Sequence, residues 1–160
     1  MTSLKYQSWK VAWAFFATCM LLLSLQIVYG FIMGFDNLHQ WIPFNTARAT
    51  HTNLLVVWLL AGFMGSAYYI IPDETRHELW SIKLAWVQWA SLVLVGVVAV
   101  VGFHFNWWEG RKFLEIPRPL DYLVVVNVLL FLLNVGMTAW NAERFTATNV
   151  VGFGPLVRPW

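Results

Sequence analysis

Charged positions divide this chain into four long stretches that contain none. No Asp, Glu, Lys or Arg lies between Lys10 and Asp36, between Arg48 and Asp73, between Lys83 and Glu109, or between Asp121 and Glu143. Those gaps hold 25, 24, 25 and 21 residues, and every charged residue falls outside them. Each gap exceeds the roughly 20 residues that a helix needs to cross the hydrocarbon core of a bilayer. Only helices or closed barrels satisfy the backbone in lipid, and the gaps show no alternation of period two. The pattern therefore predicts an all-α integral membrane protein with four transmembrane helices in one membrane domain, at about 11–34, 46–71, 82–105 and 120–141. Pro72-Asp73-Glu74 is expected to stop the second helix, because proline cannot continue the hydrogen-bond ladder. Pro117 and Pro119 suit the entry of the fourth. The tail, 142–160, carries Pro155, Arg158 and Pro159 and is too polar to be a fifth span.

Composition narrows the classes further. Of 160 residues, 59% are hydrophobic and 11% charged, against about 25% charged in a soluble domain. Many of the 11 tryptophans mark the ends of the apolar stretches (Trp9, Trp13, Trp80, Trp107, Trp108, Trp140), as indoles at a headgroup zone do, whereas Trp58 sits mid-stretch. A net charge of +2 with no basic cluster excludes a nucleic-acid partner. The single Cys19 cannot form an intrachain disulfide. The first stretch is too long for a signal-peptide core and reads as a retained signal-anchor. Lys5, Lys10, Arg76, Lys83, Arg144 and Arg158 fall on one side, and Arg48, Arg111, Lys112 and Arg118 on the other. Six against four places the N-terminus in the cytoplasm, with Arg48 and the Trp107–Pro119 loop on the outer side.

Ionisable residues inside a membrane are expensive and point to function. Two qualify: His51 at the outer end of the second helix and His104 at the outer end of the third, whereas His39 and His77 read as loop residues at the surface. His51, Leu55, Trp58, Gly62, Ser66 and Tyr69 form one helical stripe. Its small residues (with Gly65 beside them) serve either close helix packing or room for a porphyrin next to an imidazole ligand. Arg48, one turn before His51, could pair with haem propionates. Antiparallel helices would put His104 at the depth of His51, so it is either a second haem ligand or an interfacial histidine beside Asn106 and Trp107. Asn53, Gln88, Asn127 and Asn134 read as interhelical hydrogen-bond partners. No Cys/His metal spacing, phosphate loop or Ser/His/Asp constellation is visible.

The segment Ile42-Pro-Phe-Asn-Thr-Ala-Arg-Ala-Thr-His-Thr-Asn, continued to Ile71-Pro-Asp-Glu, closely resembles the second helix of the catalytic subunit of bacterial nitric oxide reductase, in the haem–copper oxidase superfamily. The resemblance extends through Lys83-Leu-Ala-Trp, Gly110-Arg-Lys-Phe-Leu-Glu-Ile-Pro and Asn134-Val-Gly-Met-Thr, and covers nearly everything up to about Asn149. It implies the N-terminal portion of the subunit I fold in a bacterial inner membrane. His51 is then an axial ligand of the low-spin haem b, and Arg48 and Arg111 contact its propionates. The implied reaction reduces two NO to nitrous oxide and water, through a second haem paired with a non-haem iron. Electrons would come from a cytochrome c subunit or from quinol.

Two departures from the family matter. Where it often carries a glutamate associated with calcium, this chain has Lys112, while Glu115 is kept. An ammonium does not suit calcium, so Lys112 is expected to neutralise propionate charge itself, with calcium absent and Glu115 left as the remaining residue of that region. The family subunit also has about twelve spans, and the ligands of the non-haem iron and of the second haem, with the second ligand of the low-spin haem, belong to later helices. The expectation is a truncated or split product, or a chain completed by another, inactive alone. Two further readings stay open: a self-contained bis-histidine b-haem module using His51 and His104, and a non-catalytic fragment that packs against partner helices.

Overall fold

The computed structural model describes residues 5–111 and 115–142; the tail from residue 143 onward and Lys112 fall outside that range. Four long helices dominate it: α1 (Ser8–Met33), α2 (Phe44–Thr75), α3 (Ile82–His104) and α4 (Arg118–Asn141). All four are long and apolar enough to cross a membrane, and the protein is an all-α membrane protein. A 3-10 turn, Asp36–Leu38, lies between α1 and α2. The Ser81 hydroxyl accepts the Leu84 N–H to cap α3, and α4 begins directly after Pro117 with Pro119 in its first turn.

Contacts between helix ends give the topology. Lys5 pairs with Asp73 at 2.7 Å, the Trp80 N–H donates to Thr138 Oγ1 at 2.9 Å, and the Ser81 N–H donates to Asn134 Oδ1 at 3.0 Å. At the other level Arg48 meets Glu115, and Tyr29 meets His104. The bundle is up-down-up-down, and His51, His104 and the loop residues 105–111 and 115–117 share one end.

α2 does not stop at Pro72. It continues to Thr75, with Pro72 buried inside it, and ends at Arg76 in the left-handed region (φ 58°). Proline removes one ladder donor and crowds the preceding turn. In that turn the Tyr69 carbonyl accepts the Trp9 indole N–H from α1 at 3.0 Å. The donor that Pro72 lacks would have served Tyr68, one position earlier, so this bond tethers the same turn to α1 beside the break in the ladder.

The two helix pairings rest on different chemistry. Small residues join α1 to α2: a Cβ on Gly65 would stand 2.9 Å from Phe15 Cβ and 3.3 Å from the Ala12 carbonyl oxygen, and one on Gly62 would stand 3.2 Å from Cys19 Sγ. The glycines of the α2 stripe are thus filled by α1, so the packing reading accounts for them and the porphyrin reading does not. A polar seam joins α3 to α4. Asn127 Nδ2 donates to the Gln88 carbonyl at 2.9 Å and Gln88 Nε2 to the Asn127 carbonyl at 3.3 Å. Asn134 Nδ2 reaches the Ser81 carbonyl at 3.0 Å and Tyr68 Oη at 3.4 Å, and the Tyr68 hydroxyl donates to Gln88. In lipid such bonds contribute about 1 kcal/mol each, and small-residue faces supply the dispersion contacts.

Gly65→Val should lower stability by about 1–3 kcal/mol through overpacking, read as an earlier thermal transition in detergent micelles. Gly136→Val is the control, since a Cβ there meets nothing within 4 Å, and it should leave the transition nearly in place.

Candidate functional site

His51 lies in the second turn of α2 and is turned toward α1. Its Nδ1 is 2.8 Å from the backbone carbonyl oxygen of Gln26. A carbonyl can only accept, so the proton of the neutral ring sits on Nδ1 and Nε2 keeps its lone pair. Among the described residues no hydrogen-bond partner faces that Nε2. The ring lies against Gly30, where a Cβ would come within 2.9 Å of Cε1 and 3.0 Å of Nδ1. Gln26 holds α2 a second time, since its Oε1 accepts the Trp58 indole N–H at 2.5 Å. That bond explains the one tryptophan placed mid-stretch.

Arg48 leaves the same helix toward Glu115. Its Nη1 donates to Glu115 Oε1 at 2.7 Å, and Asn53 Nδ2 donates to Glu115 Oε2 at 2.7 Å. The Glu115 side chain is 5% exposed and that of Arg48 40%. The carboxylate is therefore buried between a cation and an amide, with both oxygens engaged. Of the four polar residues read as interhelical partners, Gln88, Asn127 and Asn134 join α3 to α4, whereas Asn53 serves Glu115 and its own Ala49 carbonyl.

Arg111 is anchored by Asp121 and by the Ile116 carbonyl at 3.2 Å. Glu109 accepts both the Arg118 backbone N–H at 3.0 Å and Arg118 Nε at 2.8 Å. The Arg118 N–H, then the charges of Arg118 and Arg111, hold the Glu109 carboxyl below its usual range. The Asp121 carboxylate, accepting from the Arg111 guanidinium, pushes the latter above its ordinary value. Arg48, Arg111, Glu109 and Glu115 line one cavity of about 180 Å³ with Asn45 and Trp108. His51 does not line this cavity; it faces α1.

His104 has both ring nitrogens engaged. Nδ1 donates to the Val100 carbonyl at 2.9 Å, so Nε2 accepts from the Tyr29 hydroxyl at 3.1 Å. His39 bonds the Ile32 carbonyl at 3.1 Å. Among the described residues no three His, Cys, Asp or Glu side chains converge as a metal site. Sequence reasoning missed Gln26, Gly30 and Tyr29. Gln26 was a detectable signal, an amide inside an apolar stretch, but its partners lie 25 and 32 positions away.

Comparison with known proteins gives this geometry a context. Residues 10–153 match the family described as Cytochrome C and Quinol oxidase polypeptide I. A nitric oxide reductase subunit of Stutzerimonas stutzeri is 39% identical over 170 aligned positions, covering 94% of this chain and 36% of that protein. Quinol oxidase subunit 1 of Sulfolobus acidocaldarius is 28% identical over 95, covering 58% of this chain and 18% of that one. The chain thus spans about a third or less of the length of these relatives.

Glu115→Ala leaves the Arg48 guanidinium and the Asn53 amide without their acceptor. Breaking a buried pair costs about 3–5 kcal/mol, and the exposure of Arg48 reduces this to about 2 kcal/mol. An earlier thermal transition should result, with Glu115→Gln intermediate. The Glu109 clamp has a definite pH sense. Its folded pKa is depressed, so its stabilisation is complete above the ordinary carboxylate range and is lost as pH falls through the folded value. The protection of the Arg118 amide against exchange, relative to its intrinsic rate at each pH, should fall as pH drops through the folded value, and Glu109→Gln should abolish the dependence.

Proposed function

The chain belongs to the family of cytochrome c and quinol oxidase polypeptide I, and from that premise we propose that its four helices are the haem-bearing part of a nitric oxide reductase, in which His51 would hold the iron of a low-spin haem b. One observation carries the reading: the Gln26 carbonyl fixes the His51 tautomer, leaving an unpartnered Nε2. Haem-ligating histidines are oriented in this way, by a hydrogen bond from the nitrogen that does not bind the metal. The donor set therefore fits a haem iron. When bound, the haem supplies a one-electron carrier toward a centre that joins two NO, two electrons and two protons into nitrous oxide and water.

The chain's own residues divide the remaining work. α1 holds the imidazole by Nδ1 and fixes its direction. Arg48 and Arg111, sharing one cavity at the outer end, offer guanidinium N–H groups to the propionates. Arg48 spends one nitrogen on Glu115 and keeps the others. Glu115, with both oxygens engaged by Arg48 and Asn53, is poorly disposed toward a calcium ion. The sites of the non-haem iron and second haem, and the second ligand of this haem, are assigned to helices beyond these four. Electrons would come from a cytochrome c subunit or from quinol. The balance of Lys and Arg supports a cytoplasmic N-terminus, and the likeness to a nitric oxide reductase subunit supports a bacterial inner membrane. The engagement of both His104 nitrogens counts against a self-contained bis-histidine module.

His51→Ala should abolish the sharp reduced α band of the low-spin haem in purified membranes, and His104→Ala should retain it. A band that survives His51→Ala would sink the assignment, and loss in both variants would restore the bis-histidine module.

A further inference from the structure

We infer that Gly30 is a positioning residue for His51, present because its missing side chain opens the Gln26 carbonyl to the imidazole; this rests on the haem-ligand reading of His51. Gln26 and Gly30 are four residues apart on α1, so the Gln26 carbonyl already accepts the ladder N–H of Gly30. A carbonyl oxygen has a second lone pair, and His51 Nδ1 uses it at 2.8 Å. Access to that lone pair is the difficulty. Cα–Cβ bonds on a helix tilt toward its N-terminus, so a side chain covers the turn before its own Cα. Any side chain at position 30 would cover the carbonyl at position 26.

The distances bear this out. A Cβ at Gly30 would meet Cε1 and Nδ1 of His51 at 2.9 and 3.0 Å, and its three nearest neighbours all belong to that ring. The ring is rigid and sits on a helix that Trp58 ties to Gln26 Oε1 seven residues further on. It cannot give way without losing the carbonyl. Backbone conformation supplies no competing reason for glycine, because position 30 lies within a regular α-helix, where glycine is a poorer former than alanine. Gly62 and Gly65 differ in kind, since their space is taken by Cys19, Phe15 and the Ala12 backbone rather than by the ligand.

The hydrogen bond has an electronic consequence as well as a steric one. An Nδ1–H that donates to a carbonyl makes Nε2 more basic, which favours the oxidised iron. A displaced ring loses that donation, so the midpoint potential rises and the ring plane turns.

The test uses the complete haem-loaded protein in its native complex. Gly30→Ala is compared with Gly34→Ala, where the Cβ meets only the Phe31 carbonyl oxygen at an ordinary 3.5 Å, and with His51→Ala. We expect Gly30→Ala to shift the g-values of the oxidised low-spin haem and raise its midpoint potential, with Gly34→Ala matching wild type. Wild-type g-values and potential in Gly30→Ala, beside haem loss in His51→Ala, would overturn the inference and spare the ligand reading. An unchanged spectrum in His51→Ala would overturn both. Should Gly30→Ala fail to accumulate, pulsed EPR of wild type labelled with 15N-histidine reads the remote imidazole nitrogen. A hydrogen-bonded Nδ1–H supports the inference, and one without a hydrogen bond overturns it.

Discussion

Hydrocarbon provides no hydrogen-bond partners, and that absence governs how the interhelical amides and the buried carboxylate of this bundle are placed. A buried amide or carboxylate in lipid must find its partner on another helix or on its own backbone. Gln88 and Asn127 exchange bonds with each other's backbone. Asn134 ties the start of α3 to the end of α4. Glu115 takes a guanidinium and an amide. The turn before the internal proline of α2 is tethered to α1 by the Trp9 indole on the Tyr69 carbonyl.

The outer end of the bundle applies the same constraint to function. One turn of α1, residues 26 to 30, is a junction. Its Gln26 meets His51 and Trp58 on α2, and its Tyr29 meets His104 on α3. α2 works on two faces there. His51 and Trp58 turn to α1, while Arg48 and Asn53 turn to the loop that carries Glu115 and Arg111. In the proposed haem site this separates two tasks, since one neighbour orients the ligand and the other orients the charges for the propionates. Neither task uses a mobile surface group: the ring is pinned by backbone and the arginine by a buried carboxylate.

Three glycines illustrate how one residue type serves distinct ends. Gly62 and Gly65 lower the distance between α1 and α2 and exchange side-chain volume for dispersion contacts. Gly30 admits a ring to a carbonyl. On a helical wheel the three are equivalent small residues, and only their neighbours separate them.

By itself the sequence determined the four spans, their antiparallel order and the placing of one imidazole, His51, within an apolar helix. Those follow from local quantities, since the length of an uncharged run and the solvation of an imidazole in lipid depend on no partner. Tertiary structure decided the rest. It carried α2 past Pro72 to Thr75, because whether a proline ends a helix depends on the packing that holds the turns around it. It assigned the glycine stripe of α2 to packing rather than to a porphyrin, because a small residue leaves room that any neighbour may fill. It brought Glu115 to Arg48 across 67 positions and Gln26 to His51 across 25. A hydrogen bond depends on distance and direction, and no spacing along the chain sets either between separate helices.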